Sequence, residues 1–483
     1  MLGVCYVGCT VAENIRAPKD KPNIIFILAD DLGWQDVGYE GAKLFETPNI
    51  DKLAADGISF SRAYASGPNC APTRASLMSG LYTPRHSIYT PGGMSKGDPK
   101  YMRLLVPAKE RKDEELAKKA SEQVKSINGL NSSFICIPEV LKKSGYVSGR
   151  FGKWHLGTDT QGFDVSSSDG LSGEDLHKKS WYGDIDVAEN LTTRSIQFME
   201  EHRDKPFFLY LAHWDVHVPW KARKNVIDKY KAKMDTMSPD ELNELKNLIP
   251  GYSEENVPVY AAMVEAVDVS VKRVVAKVKE LGLEKNTIII FTSDNGGTTN
   301  ISQLAPLRGT KGSLFEAGVR VPACASWTGQ IKPGSKSDTP ISSVDFLPTL
   351  AKLADAPLPT QQPVDGTDIS PIFFGEQIED RSLFWHYPLY LTGRGLEFQT
   401  PNGTQSWRGF PSTSLVRGNY KMIQFLEDKS YALYDLSKDP GEENNLVDAL
   451  PEIASQLKKE IINWQKNVNA PIPSIPNPEC ILE

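Results

Sequence analysis

PNIIFILADD, residues 22–31, is an unbroken apolar run closed by two aspartates. It lacks the period-two alternation of a half-exposed strand, so it reads as a strand covered on both faces, the habit of parallel sheets. Ligands in open parallel sheets gather beyond the carboxyl ends of the strands. Asp30 and Asp31 therefore stand where chemistry is expected. PFFLYLAHWDVHVP (206–219) and NTIIIFTSDNGG (286–297) repeat the pattern, each passing from apolar to polar residues at its end.

Helical patterns separate these strands. TPNIDKLAADG (47–57) stops at a glycine, IPEVLKKSGY (137–146) has one apolar face, and YAAMVEAVDVSVKRVVAKVKELG (260–282) is a long helix. GISFSRAYAS (57–66) and VSGRFGKWHLG (147–157) supply further strands, and a helix over Thr73–Leu81 is predicted to open on Pro72. Strands alternating with helices predict an α/β fold with a large, mostly parallel sheet flanked by helices. Beyond residue 376 the texture changes. TSLVRGNYKMIQFLEDKSYALYDL (413–436) alternates like hairpins and LPEIASQLKKEIINWQK (450–466) is an amphipathic helix, predicting a smaller antiparallel sheet with one helix over 377–483. The catalytic α/β domain is expected over 21–376. Its Lys- and Glu-rich insertion, 93–135, is expected to carry an exposed helix.

Composition narrows the function. Lys and Arg number 54 against 61 Asp and Glu, a net charge of −7, so no basic field draws nucleic acid. An anionic substrate must be attracted by local cations or by a metal. No apolar run approaches the ~18 residues of a membrane-spanning helix. MLGVCYVGCTVA at the start reads either as the end of a secretory signal, with a degraded lipobox at Cys9, or as a disordered tail over 1–20. The first alternative implies export to the periplasm or medium, with a lipid anchor as an option. N-x-S/T triplets at Asn131, Asn190 and Asn402 matter only in a eukaryotic secretory pathway. Cys5, Cys9, Cys70, Cys136, Cys324 and Cys480 form no CxxC pair, which argues against a zinc ribbon or a disulfide framework.

Two groups of residues carry chemistry. Asp30, Asp31, Asp294 and Asn295 are hard oxygen donors at two strand ends, a set that suits Ca²⁺ or Mg²⁺ better than zinc. Either pair alone would read as a turn or helix cap. Arg74, Lys153, His155, His217 and Lys311 lie in turns or just past strands, and together they would neutralise a small tetrahedral anion. Alternation along an extended GKWHLG would put Lys153 and His155 on one side. His213, Trp214 and Asp215 are candidates to touch substrate, and Arg85 and His86 to line a pocket mouth or form a helix-end charge pair. Cys70, in GPNCAPTRASLMSG (67–80), reads as either a buried structural cysteine or a nucleophile with an undetermined partner.

CAPTRASLMSG resembles the C-x-P-x-R signature of the type I sulfatases of the alkaline phosphatase superfamily, whose cysteine is oxidised to formylglycine (3-oxoalanine). PNIIFILADDLGWQDVG, TPNIDKLAADG, GKWHLG, PFFLYLAHWDVHVP, TSDNGG, PLRGTKGSLFEAGVRVP and YALYDLSKDPGEENNL follow that family's order from Lys21 to about Val447, with Thr73 where Ser is common. The resemblance implies a sulfuric ester hydrolase whose Cys70 is converted by a formylglycine-generating maturation enzyme. It implies that Asp30, Asp31, Asp294, Asn295 and residue 70 hold the cation, Arg74 steadies the formylglycine hydrate, and Lys153 and Lys311 bind sulfate. His217 would protonate the leaving alcohol and His155 would assist sulfate expulsion. Sulfated oligo- or polysaccharides, such as marine algal glycans, are the expected substrates. A phosphonate monoester or phosphodiester hydrolase and a catalytically silent glycan-binding relative are the rival readings.

Overall fold

The computed structural model describes residues 21–167, 184–393, 398–400, 403–405 and 407–482. The tail expected over 1–20, with its cysteines, and Asn402 lie outside the described residues.

Asn23–Ala29 is the central strand of an eight-stranded sheet, parallel to Phe207–Ala212 on one side and to Thr287–Ser293 on the other. Val147–Gly152 extends the sheet in parallel beyond Phe207–Ala212. On the opposite flank Ala323–Ser326 runs antiparallel to Thr287–Ser293, which makes the sheet mixed. Successive side chains of the central strand feed opposite cores. Ile24, Phe26 and Leu28 pack with Tyr210, Ile290, Met78 and Leu347, whereas Ile25 and Ile27 pack with Leu209, Leu211, Phe291 and the Val264 and Val271 face of helix Val257–Glu280. Both faces are covered, and every position from Ile24 to Ala29 is apolar. Full burial of each such side chain stabilises by about 1.5–3 kcal/mol.

The predicted second sheet is present as Ser382–Tyr387, Ser412–Arg417, Tyr420–Phe425 and Tyr431–Asp435, all antiparallel. Helix Pro451–Asn467 covers one face through Leu457 and Ile461 against Leu415, Met422 and Leu433. The other face packs on the first module, where Trp385 joins Tyr64 and Phe315 and donates from Nε1 to the Ala65 carbonyl at 2.6 Å. A buried ion cluster crosses the same seam. Lys421 lies 2.9 Å from Glu316 and 3.0 Å from Glu442, and Tyr64 donates its hydroxyl to Glu316. The insertion carries the predicted exposed helix, Glu114–Gln123, capped by Asp113.

The signature helix differs from the sequence reading at both ends, stopping two residues before Leu81. The signature helix spans Cys70–Ser79 and begins three residues before Thr73. Pro72 lies within its first turn, where a missing N–H costs nothing.

Candidate active site

Sheet order builds the site. Asp294, Asp30 and His213 follow the carboxyl ends of three adjacent parallel strands, and Lys153 follows a fourth. Residues 264 positions apart in sequence are thereby one strand spacing apart, about 4.8 Å. Cys70 arrives from another direction, at the first turn of its helix. The loop before it is clamped by Thr73, whose hydroxyl donates to the Gly67 carbonyl at 2.8 Å and accepts from the Gly67 N–H. Threonine thus holds this turn through its hydroxyl. Gly312 N–H bonds Pro68 O at 2.8 Å, tying the Lys311 loop to the same turn.

Among the described residues, one group has the composition of a metal site: Asp30, Asp31, Cys70 and Asp294, with ligand atoms within 4.8 Å of one another. Three cations surround it. Lys153 pairs with Asp30, Lys311 Nζ lies 2.6 Å from Asp31 and 3.3 Å from Cys70 Sγ, and Arg74 Nε donates to Asp294 at 2.8 Å. None of these side chains is more than 9 % exposed. Three buried carboxylates thus face three buried cations.

Burial pushes the Asp30 carboxyl up, but Lys153, with His217, Arg74 and Lys311, outweighs it and holds Asp30 well below the usual carboxylate range. Asp294 goes the other way. Burial and the charge on Asp30 raise it to about 6 in spite of Arg74. Burial, then Asp294, pushes the Cys70 thiol up, so the unmodified residue is a protonated, weakly nucleophilic thiol.

A hard dication fits these residues. The donor set is oxygen-rich. Asn295 gives its Nδ2 to Asp31 at 2.8 Å, while its Oδ1 is buried with no partner among the described residues, an acceptor in want of a cation. A dication would also favour the ionised form of Asp294.

The remaining predicted residues divide. His217 reaches the cluster, with Nε2 3.8 Å from Asp31 and Nδ1 2.6 Å from the Val218 carbonyl. Trp214 presents its ring to Lys153 Nζ at 5.4 Å from the centroid. His155 is at the mouth, but not through strand alternation: the strand ends at Gly152 and His155 has φ +64°. Burial and the charges of Lys153 and Arg74 push its imidazole down to about 3, although its edge reaches solvent. His213 lies just past its strand end, inside the protein. It is 0 % exposed, and neither ring nitrogen has a partner among the described residues. Its backbone N–H donates to the Leu28 carbonyl at 2.8 Å. Asp215 is buried and raised to about 7 by that burial and by Asp30, and it borders a cleft with Trp214 and His217. Arg85 and His86 are structural. Arg85 is held by Asp365, and His86 is buried against Ser76 Oγ at 3.0 Å.

Sequence reasoning passed over Asp36, although it lies in the first motif. Its carboxylate accepts from Gly33 N–H, Gln303 N–H and the Tyr260 hydroxyl, and so braces the turn that follows Asp31. An aspartate seven residues past the strand, inside the first motif, was the available signal.

Comparison with known proteins gives concordant results. The sulfatase family profile matches residues 22–356, and a profile described as N-sulphoglucosamine sulphohydrolase, C-terminal, matches 310–467. The chain is 30 % identical to a sulfatase of Formosa agariphila, over 95 % of this chain and 91 % of that protein. It is 30 % identical to human arylsulfatase A, over 91 % and 86 %. The structure of Ps i-CgsB in complex with k-i-k-neocarrahexaose superposes with a TM-score of 0.70 at 25 % identity, covering 94 % of each chain.

Proposed function

The chain belongs to the sulfatase family and is a sulfuric ester hydrolase; we propose that it removes sulfate from a carbohydrate, with residue 70 matured to formylglycine and a divalent cation, Ca²⁺ or Mg²⁺, as cofactor. The observation that carries this reading is the meeting of residue 70 with three buried carboxylates and three buried cations.

Asp30, Asp31, Asp294 and the free Oδ1 of Asn295 would hold the cation, together with an oxygen of the matured residue 70. Bound there, it would polarise a sulfate oxygen and offset charge on the transferring group. Formylglycine at position 70 would supply, as its hydrate, the hydroxyl that attacks sulfur and a second hydroxyl whose loss of a proton releases sulfate. Lys311, 3.3 Å from Cys70 Sγ, and Lys153 would bind sulfate oxygens and hold sulfur in line. Arg74 acts by positioning: it fixes Asp294 and also donates to the Lys153 carbonyl at 2.6 Å. His217, with Nδ1 committed to Val218, would give a proton from Nε2 to the leaving alkoxide. His155, held neutral at the mouth, suits acceptance of the second hydroxyl proton.

A sulfated oligosaccharide, such as a fragment of an algal polysaccharide, is the substrate class we favour. The glycan held by Ps i-CgsB and the Trp214 ring beside the cluster support it. Such a substrate accords with an exported enzyme matured by a formylglycine-generating partner. The test is made on protein from a host with that maturation activity. The peptide containing residue 70 should have lost sulfur and two hydrogens and gained one oxygen, and the protein should hydrolyse 4-nitrophenyl sulfate far faster than the corresponding phosphate esters. A phosphate or phosphonate preference would move the reading to a phosphonate monoester or phosphodiester hydrolase. An unmodified Cys70 in that host would favour a silent glycan-binding protein.

A further inference from the structure

The six charges around Cys70 pair with one another, whereas a second set of cations near them has no ion-pair partner among the described residues. Lys96, Lys109 and Arg408 come from distant segments that the backbone zips together. Lys96 N–H bonds Tyr390 O at 3.1 Å and Thr392 N–H returns to Lys96 O at 2.9 Å. Strand Leu391–Thr392 in turn pairs with Trp407–Gly409, which carries Arg408. Lys109 N–H bonds Ser95 O at 3.1 Å, bringing the third cation alongside.

Arg408 reaches the inner site over Gly312, the neighbour of Lys311. A β-carbon at 312 would stand 3.4 Å from Arg408 Cγ and Cδ and 2.8 Å from Leu391, so the glycine leaves room for the arginine stem. Arg408 Nε is buried with no hydrogen-bond partner, and none of the three cations has an ion-pair partner among the described residues. Glu110, the acid nearest Lys109 in sequence, is turned to the Gly97 N–H. On a chain of net charge −7, three neighbouring cations with no ion-pair partner among the described residues call for an explanation. The fields agree with this placement. Burial and the charges of Arg408, Lys109 and Lys311 lower the Lys96 ammonium, and burial lowers Arg408 in spite of Tyr387, Asp31 and Cys70.

We infer that Arg408, Lys96 and Lys109 form a subsite for a second anionic substituent, a sulfate or a carboxylate, borne by the substrate beside the ester that is cleaved. The inference rests on the sulfated-carbohydrate reading above. The scissile sulfate is provided for by Lys153 and Lys311, so the outer cations serve another group. The planar guanidinium suits a two-oxygen grip on either anion.

The test compares three sulfated disaccharides with the matured enzyme: one otherwise neutral, one with a second sulfate, and one with a uronic carboxylate. The wild type should favour a doubly charged sugar at least tenfold in kcat/KM, and added salt should erode that preference. Whichever doubly charged sugar wins identifies the second anion. Arg408→Gln and Lys96→Gln should each reduce the preference several-fold, mainly through KM, and Arg408→Lys should restore part of it. Lys96 is exposed, so its variant keeps the test decisive if Arg408→Gln folds poorly. A wild-type preference near one, or one that the variants leave unchanged, overturns the subsite while the sulfatase reading stands. Failure to cleave all three sugars and 4-nitrophenyl sulfate overturns the carbohydrate sulfatase reading, and the subsite with it.

Discussion

Arg74 Nε donates to Asp294 Oδ2 at 2.8 Å, with Nη2 at ion-pair distance, 2.7 Å, from the same oxygen, and neither side chain touches solvent. The signature helix is thereby locked to a strand end 220 residues away. Removing one partner of a buried pair strands the other charge. Arg74→Met is therefore expected to lose about 3–5 kcal/mol in urea unfolding. Arg74→Lys, which restores charge without the planar fork, should recover part of it. Wild-type stability in Arg74→Met would contradict the pairing.

The cation site can be examined without turnover. A ligand that binds only the native state stabilises it by about 2.7 kcal/mol at a hundred times its dissociation constant. Adding Ca²⁺ or Mg²⁺ to chelator-treated protein should raise the thermal midpoint, and Asp294→Ala should abolish most of the rise. An indifferent midpoint in both proteins would count against the metal.

His86 sets a pH dependence of stability. Burial pushes its imidazole down to about 3, and its Nδ1 accepts from the Ile88 N–H, so the folded state keeps it neutral. In the unfolded chain it takes up a proton near pH 6.5. The unfolded state binds more protons between those values, so this contribution is intact above pH 6.5 and is lost progressively as pH falls toward 3. From pH 7 to pH 5 the loss is about 2 kcal/mol for this one residue. His86→Gln should flatten the denaturation free energy against pH by about that amount, and an unaltered slope would refute the assignment.

Lys421 joins the two sheets electrostatically by lying between Glu316 and Glu442. Lys421→Met should cost about 3–5 kcal/mol by leaving buried acid without its cation. Glu442, raised to about 7 by burial and by Glu316 in spite of Lys421, is already close to neutral, so Glu442→Gln should cost only about 1 kcal/mol. Equal thermal midpoints for the two variants would show that the cluster does not work this way.

Much of the architecture is legible in the chain. A run such as Ile24–Leu28 declares double-sided burial by its lack of alternation, and the polar residues that end it declare the ligand side of the sheet. The small sheet and its helix are equally local patterns. His155 escaped that logic because one left-handed residue breaks alternation, and alternation holds only while the strand continues. The burial of His213 was not legible either. It is as close to its strand end as Asp30 is, and whether a residue there reaches solvent depends on the segments packed over it.

The sequence by itself determined which residues end the strands and which carry charge, because periodicity and side-chain chemistry are properties of a few consecutive positions. Only the tertiary structure decided that Arg408 lies over Gly312, that Asn295 Oδ1 is left without a partner, and that His213 is sealed. Those outcomes follow from strand order and from hydrogen bonds between segments hundreds of residues apart, whose geometry no short stretch of chain contains.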